Sequence, residues 1–266
     1  MLPSWNSSNF DDISSLSRSE YLWLWNAYSA YLRRLTLDTP GYPCYFGLNG
    51  HREGNNWFTG VDQSASVPGH GVDGFARVLR AFREQAWSGP ERQTLLAFVG
   101  PPDPEPDLDR DCERFWDLLA SLTLLDQQPW PPDRPADTAD PRWEWCFDGE
   151  PWFVFGCSPA YRLRRSRNLG PCLTLVFQVR RVFARLSGST PAGQAAKRQI
   201  RRGLLSYDAV ALHPHLGDEQ HSSVYKWRQY MLPDDQRVWD PAECPFPAAV
   251  ARQAAAPQER QGLRPR

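Results

Sequence analysis

The chain has 266 residues, with 30 basic side chains against 31 acidic ones and a formal net charge of −1. That balance argues against a protein whose main work is coating nucleic acid, which needs a basic excess. Hydrophobic residues make up 41% and aromatic residues 13%, which supplies a core and excludes disorder throughout. No apolar run approaches the roughly 18–20 residues of a membrane span. Met1 to Asp12 is polar and lacks a signal pattern, so a cytoplasmic protein with no membrane partner is the expectation.

The elements follow in chain order. Residues 1–16, rich in Ser, Asn and Asp, read as a flexible segment. Tyr21, Leu24, Trp25, Tyr28, Tyr31, Leu32 and Leu35 recur at helical spacing, and Asp38-Thr39-Pro40 ends the helix. Cys44 to Leu48 and Trp57 to Val61 read as strands around a polar turn. A second helix spans about Asp73 to Trp87, Thr94 to Val99 is a buried strand, and Leu108 to Leu122 mark a third helix.

Gln127 to Asp140 is a loop rich in Pro and Asp. Trp143 to Phe147 and Pro151 to Phe155 form a hairpin across the turn signal Asp148-Gly149. Arg162 to Arg167 is a basic loop, Cys172 to Phe177 a strand, and Val179 to Leu186 continue as a helix. Thr190-Pro191 caps a further helix that runs to about Tyr207. His213 to His221 is a loop, Val224 to Leu232 a short helix, and Pro241 to Arg266 a loose tail. The expected architecture is α+β, a mostly antiparallel sheet with packed helices in a single domain at 17–240.

The chemistry-bearing residues are few. Three of five histidines, His213, His215 and His221, lie in one loop. Imidazole is the commonest metal ligand, so haem, or a non-haem iron or zinc site that also uses Asp218, is open. So is a His-rich surface loop. Cys44 is a candidate thiolate ligand or nucleophile, or else a core residue. Arg162, Arg164, Arg165 and Arg167, with Arg180, Arg181 and Arg185 nearby, suit an anionic group such as haem propionates. With 28 arginines and only Lys197 and Lys226 as lysines, solvated arginine faces are equally expected. Glu144 and Glu150 flank aromatic residues, a setting that receives a guanidinium, or they are turn-edge carboxylates in water. The six cysteines stand far apart without a CxxC pair, which favours thiols over a disulfide framework. Walker, HExxH and GxSxG motifs are absent from the sequence.

Five segments together resemble the YqcI/YcgG family. They are Tyr42-Pro-Cys-Tyr-Phe-Gly47; Asp140-Pro-Arg-Trp-Glu-Trp-Cys-Phe-Asp-Gly-Glu-Pro-Trp-Phe-Val154 with Ser158-Pro-Ala160; Phe177-Gln-Val-Arg180 with Val182-Phe183; Tyr207-Asp208 leading to His213-Pro and Leu216-Gly217; and Trp227-Arg-Gln-Tyr230. They span about residues 20–240. The resemblance implies a haem b oxygenase that hydroxylates a guanidine nitrogen of arginine or a related amino acid in a natural-product pathway. It implies His213 as the axial iron ligand with Cys44 as the alternative, and Glu144 or Glu150 as the groups that orient the guanidinium. Arg164, Arg165 and Arg167 would hold propionates. A separate reductase, or peroxide, would complete the reaction. A non-catalytic haem- or metal-binding protein is the competing expectation.

Overall fold

The computed structural model describes residues 4–6, 21–62, 69–183, 190–216 and 225–255. In chain order the strands are β1 (Ser4–Asn6), β2 (Trp57–Asp62), β3 (Leu95–Gly100), β4 (Cys146–Phe147), β5 (Glu150–Cys157) and β6 (Thr174–Val179). The α-helices are α1 (Leu22–Leu37), α2 (Tyr45–Arg52), α3 (Val72–Ser88), α4 (Leu108–Leu124), α5 (Pro191–Tyr207) and α6 (Ala248–Ala255).

The sheet runs in the order β1-β2-β3-β6-β5-β4. Its class is α+β, as expected, but it is mixed. β2 and β3 pair in parallel, whereas the other neighbours are antiparallel. The parallel pair follows from the intervening α3, because a crossover helix carries the chain back to the starting edge. Trp57 pairs with Leu95, Leu95 with Phe177 and Phe177 with Val154, which fixes which side chains share a face.

The two faces are covered unequally. On one, Val61, Leu95, Ala97, Val99, Trp152, Val154, Leu175 and Phe177 pack with α3 and α4 in the larger core. Trp145 donates its Nε1–H to Thr123 Oγ1 at 2.9 Å, and Trp152 donates to the Phe147 carbonyl at 2.9 Å, so these buried indoles are satisfied. On the other face, Phe58, Leu96, Phe98 and Val176 pack with Leu24, Tyr28, Tyr31 and Leu35 of α1. That cover does not enclose Phe153 and Phe155 of β5, which stay half-exposed on this face while Trp152 and Val154 are buried behind them.

Most helices lie where hydrophobic periodicity puts them. Thr190 caps α5 by accepting from Gly193 N–H at 3.1 Å. Asp148 and Gly149 turn the β4–β5 hairpin at φ of 55° and 73°, the conformation an Asp-Gly turn supplies.

Five expectations are corrected. Cys44 to Leu48 is not a strand: Cys44 is the N-cap of α2. Ser4–Asn6 is not part of a flexible segment but pairs with β2 through its backbone. Beyond β6, the expected helix is a 3₁₀ turn over Arg180–Phe183, and Val224 to Leu232 carries a 3₁₀ turn at Lys226–Gln229. The stretch from Pro241 holds α6, which packs on α4 with Phe246 and Ala251 buried.

Trp152 is fully buried on the larger face, and its ring meets Phe82 and Phe177 at 6.2 and 6.1 Å between centroids. Trp152→Ala is expected to cost about 3–5 kcal/mol. Urea denaturation checks this: the midpoint falls while the slope stays the same.

Candidate functional site

The site is the cavity left over the uncovered end of the sheet. It measures about 280 Å³ and lies between β5, β6 and α5. Phe153, Phe155 and Phe183 form one wall, and Ile200, Leu204 and Leu216 the other. Helical spacing explains the second wall. Lys197, Ile200, Arg201 and Leu204 share one stripe of α5. Only Gly193 and Tyr207 of this helix are buried, so its apolar stripe faces the cavity instead of the core.

Cys44 stands at one end. Its Sγ accepts from Gly47 N–H at 3.3 Å at the start of α2, where the helix field favours an anion. The other cysteines differ in setting. Burial pushes the Cys157, Cys172 and Cys244 thiols up to about 12 and Cys112 to about 11, and drives Cys146 higher still. None of the six is in a disulfide.

Asp208 is the one carboxylate among the described lining residues. It accepts from Ser166 N–H at 2.7 Å and from Ser166 Oγ–H at 2.8 Å. Burial raises its carboxyl pKa despite those bonds and the nearby Arg164 and Arg167 guanidinium groups. Asp208 was not singled out as a site residue from sequence. It lies in the family-like Tyr207-Asp208 pair, just past α5, and that was the available signal.

The arginines divide by what they touch. Arg164 is buried and donates to the Pro233, Ala211 and Asp235 carbonyls at 2.7, 3.4 and 2.7 Å. Arg167 donates to the Gln229 carbonyl at 3.0 Å, and its guanidinium lies 4.4 Å over the Phe155 ring. Both line the cavity. Arg165 does not line it; its guanidinium lies over Tyr207 at 5.0 Å. Arg201 does line it, and sequence reasoning had passed over that residue.

Glu144 and Glu150 do not line this cavity. Glu144 is buried and ion-paired to Arg180. Glu150 opens β5, and burial raises its carboxyl pKa.

His213 and His215 are also away from the cavity wall. His213 Nδ1 accepts from His215 N–H at 3.1 Å, so its Nε2–H donates to the Arg237 carbonyl at 2.8 Å. His215 Nε2 accepts from Trp239 N–H at 3.0 Å. Each ring thus uses its lone-pair nitrogen on the backbone, and in this arrangement neither offers one to a metal. His221 and Asp218 lie outside the described residues. Among the described residues no three His, Cys, Asp or Glu side chains cluster as metal ligands, and no helix is long and apolar enough to cross a membrane.

The comparisons agree with the segments that frame this cavity. The family model described as the YqcI/YcgG family matches residues 33–247. The chain belongs to that family. It is 42% identical over 132 residues to the uncharacterized protein YqcI of Bacillus subtilis (strain 168), covering 50% of this chain and 51% of that one. It is 42% identical over 134 residues to YcgG of the same organism, covering 50% and 52%. The matched part thus spans about half the length of these two relatives. It is 30% identical over 231 residues to the putative N(omega)-hydroxy-L-arginine synthase DcsA of Streptomyces lavendulae, covering 84% of each chain. No solved structure matches.

The histidine pair makes stability depend on pH. Burial lowers the His215 pKa from 6.5 to about 4. The unfolded chain therefore binds more protons between those values, so His215's contribution is full above about 6.5 and declines as the pH falls toward about 4. His215→Gln is expected to be less stable at neutral pH, and the gap from the parent protein narrows on acidification. Urea midpoints of both proteins across this range check the sign; a gap that is constant or widens contradicts it.

Proposed function

We propose that this protein is a haem-dependent oxygenase that hydroxylates a guanidine nitrogen of arginine or a related amino acid, with the reaction centred on the Cys44 cavity. The observation that carries the reading is a mostly apolar cavity whose described lining joins a thiol at a helix start, the Asp208 carboxylate and several cations. The similarity to a putative N(omega)-hydroxy-L-arginine synthase over 84% of each chain supports the substrate class.

Haem, when bound, would supply oxygen activation at its iron. Cys44 would hold the iron, because it lines the cavity and the Gly47 N–H at 3.3 Å can stay bonded to a thiolate. His213 fits less well, because ligation would take its lone pair from the His215 N–H. Phe153, Phe155, Ile200 and Leu204 suit a broad apolar ring system.

Asp208 takes the role first expected of Glu144 or Glu150. A guanidinium stays protonated with a pKa of about 13.8, and its nitrogen lone pairs are delocalised. The protein must hold one nitrogen in place and accept a proton. Each Asp208 oxygen keeps a second lone pair beside its bond to Ser166, so the carboxylate can receive two parallel guanidinium N–H groups. Its raised pKa makes it a better proton acceptor than an exposed aspartate. A separate reductase, or peroxide, completes this reading.

The test is absorption spectroscopy of protein expressed with a haem precursor, titrated with arginine, followed by mass analysis of the product. The reading expects a haem band, an arginine-dependent shift and arginine gaining one oxygen. A haem band that ignores arginine leaves the non-catalytic alternative, and no band removes both. Cys44→Ser is expected to change the haem spectrum, whereas folded His213→Ala keeps it; the opposite result reassigns the ligand. Asp208→Asn is expected to weaken arginine binding by about 10- to 100-fold, the loss of one charge-assisted pair. Calorimetric titration with arginine measures that loss, and unchanged affinity removes Asp208 from the role.

A further inference from the structure

We infer that Tyr42 and Tyr207 form a one-electron path out of the cavity, with Asp38 receiving the Tyr207 phenol proton. The inference rests on the reading above for its oxidant, which is haem in the cavity after reaction with peroxide. Tyr42 is where such a path starts. Among the described lining residues it is the sole tyrosine, and none is tryptophan. The other aromatic rings of that lining belong to Phe153, Phe155 and Phe183. A phenyl ring gives up an electron far less readily than a phenol.

Tyr42 is a poor place for the oxidation to end. A phenol keeps its proton at neutral pH, and it gives up an electron easily only when that proton leaves too. Tyr42 donates its Oη–H to the Ser166 carbonyl at 2.9 Å, and a peptide carbonyl is too weak a base to take the proton. Tyr207 meets the condition. Its ring packs edge-on against Tyr42, with centroids 5.7 Å apart and planes at 88°. Its Oη–H donates to Asp38 Oδ2, a carboxylate placed for direct proton transfer. Tyr161, by contrast, donates to the Leu232 carbonyl. The Arg165 guanidinium lies 5.0 Å from the Tyr207 ring centroid. A cation there disfavours a positively charged ring, so oxidation of Tyr207 proceeds with loss of its proton.

Tyr207 loses one electron, which passes through Tyr42 to the oxidised centre in the cavity, and one proton, which passes from Oη to Asp38. The products are a neutral tyrosyl radical, a protonated Asp38 and a centre reduced by one electron. Asp38 caps the end of α1 beside Arg34 Nη1 at 3.5 Å, with 19% of its side chain exposed, so the proton passes on to water. Tyr207 is 1% exposed, which shields the radical from solvent. The path protects the site. When the oxidant forms without a guanidine to receive oxygen, the electron comes from Tyr207 and not from Cys44, which lines the same cavity.

The experiment treats haem-loaded protein with peroxide in the absence of arginine and reads freeze-quenched samples by electron paramagnetic resonance. The parent is expected to give a tyrosyl signal that narrows when its tyrosines are ring-deuterated. Tyr207→Phe loses that signal, and peptide mass analysis finds more oxidised Cys44. Asp38→Asn, which leaves the ring pair in place, slows the signal's appearance about 100-fold, the low end for loss of a positioned base. A second measurement needs no haem: azidyl radicals from pulse radiolysis oxidise the ligand-free protein from its surface. The tyrosyl signal then settles on Tyr207 in the parent and in Tyr42→Phe, whereas with haem and peroxide Tyr42→Phe delays it. A peroxide-induced radical that is absent from the parent, or that survives Tyr207→Phe and Asp38→Asn unchanged, overturns the path and leaves the proposed function standing. A parent protein that binds no haem overturns the proposed function. The azidyl measurement then decides the Tyr207–Asp38 pair alone, and a signal unaltered by Tyr207→Phe overturns it.

Discussion

Two half-buried carboxylates, Asp208 and Asp234, hold the turn from Arg162 to Arg167, and the cavity is organised around that turn. Asp234 accepts from three successive backbone N–H groups, those of Arg162, Leu163 and Arg164, at 2.7–3.1 Å. Asp208 accepts from both the backbone and the hydroxyl of Ser166. The Ser166 carbonyl in turn accepts from Tyr42 Oη–H at 2.9 Å. Three distant segments are thereby fastened to one turn: the end of α5, the stretch before α2 and the stretch after Tyr230. A turn whose N–H groups lacked these acceptors would pay their desolvation and open. Arg164 and Arg167 would lose their geometry with it.

The same anchoring explains why α5 lines a cavity instead of completing the core. The helix is fixed near its C-terminus by Asp208 and closely approaches the stretch before α2 at Gly203, where a Cβ would sit 2.9 Å from Pro43 Cβ. Tyr207 adds an edge contact to Tyr42 at 5.7 Å between ring centroids. These contacts seat one end of α5 beside Pro43 and Cys44. The stripe of Lys197, Ile200, Arg201 and Leu204 then looks across at Phe153 and Phe155. Glycine in a helix interior ordinarily costs about 1 kcal/mol relative to alanine. Here it permits the close approach that brings the thiol and the basic stripe to one cavity.

The sequence was legible wherever one element's own pattern determines its structure. Helical periodicity located α1, α3 and α4, Thr190-Pro191 located the start of α5, and Asp148-Gly149 located the hairpin turn. It was less legible where a non-local partner decides. Three residues of backbone pairing leave no alternation to detect, so Ser4–Asn6 was unmarked. Cys44 to Leu48 carries aromatic residues that suit a strand, and cysteine is outside the usual capping set, yet its thiol caps α2. The parallel β2–β3 pair was implicit in the strand–helix–strand order, which the expectation of a mostly antiparallel sheet underweighted. The cavity joins residues from Tyr42 to Leu232, and no local pattern announces that proximity.

The histidines and arginines show why residue type alone does not identify a site. Histidine is scarce here, which drew attention to His213 and His215, but their lone pairs are engaged by backbone N–H groups. Scarcity in this case marks a structural tautomer lock, with burial keeping His215 neutral. Arginine is abundant, which hid the difference between its members. Arg164 and Arg167 act as fixed positive walls because carbonyls occupy their donors. Arg201 has a buried donor nitrogen with no acceptor. What separates a structural guanidinium from a recognising one is therefore neither its charge nor its burial. It is whether the protein has already supplied the acceptors, as the main-chain carbonyls do for Arg164 and Arg167.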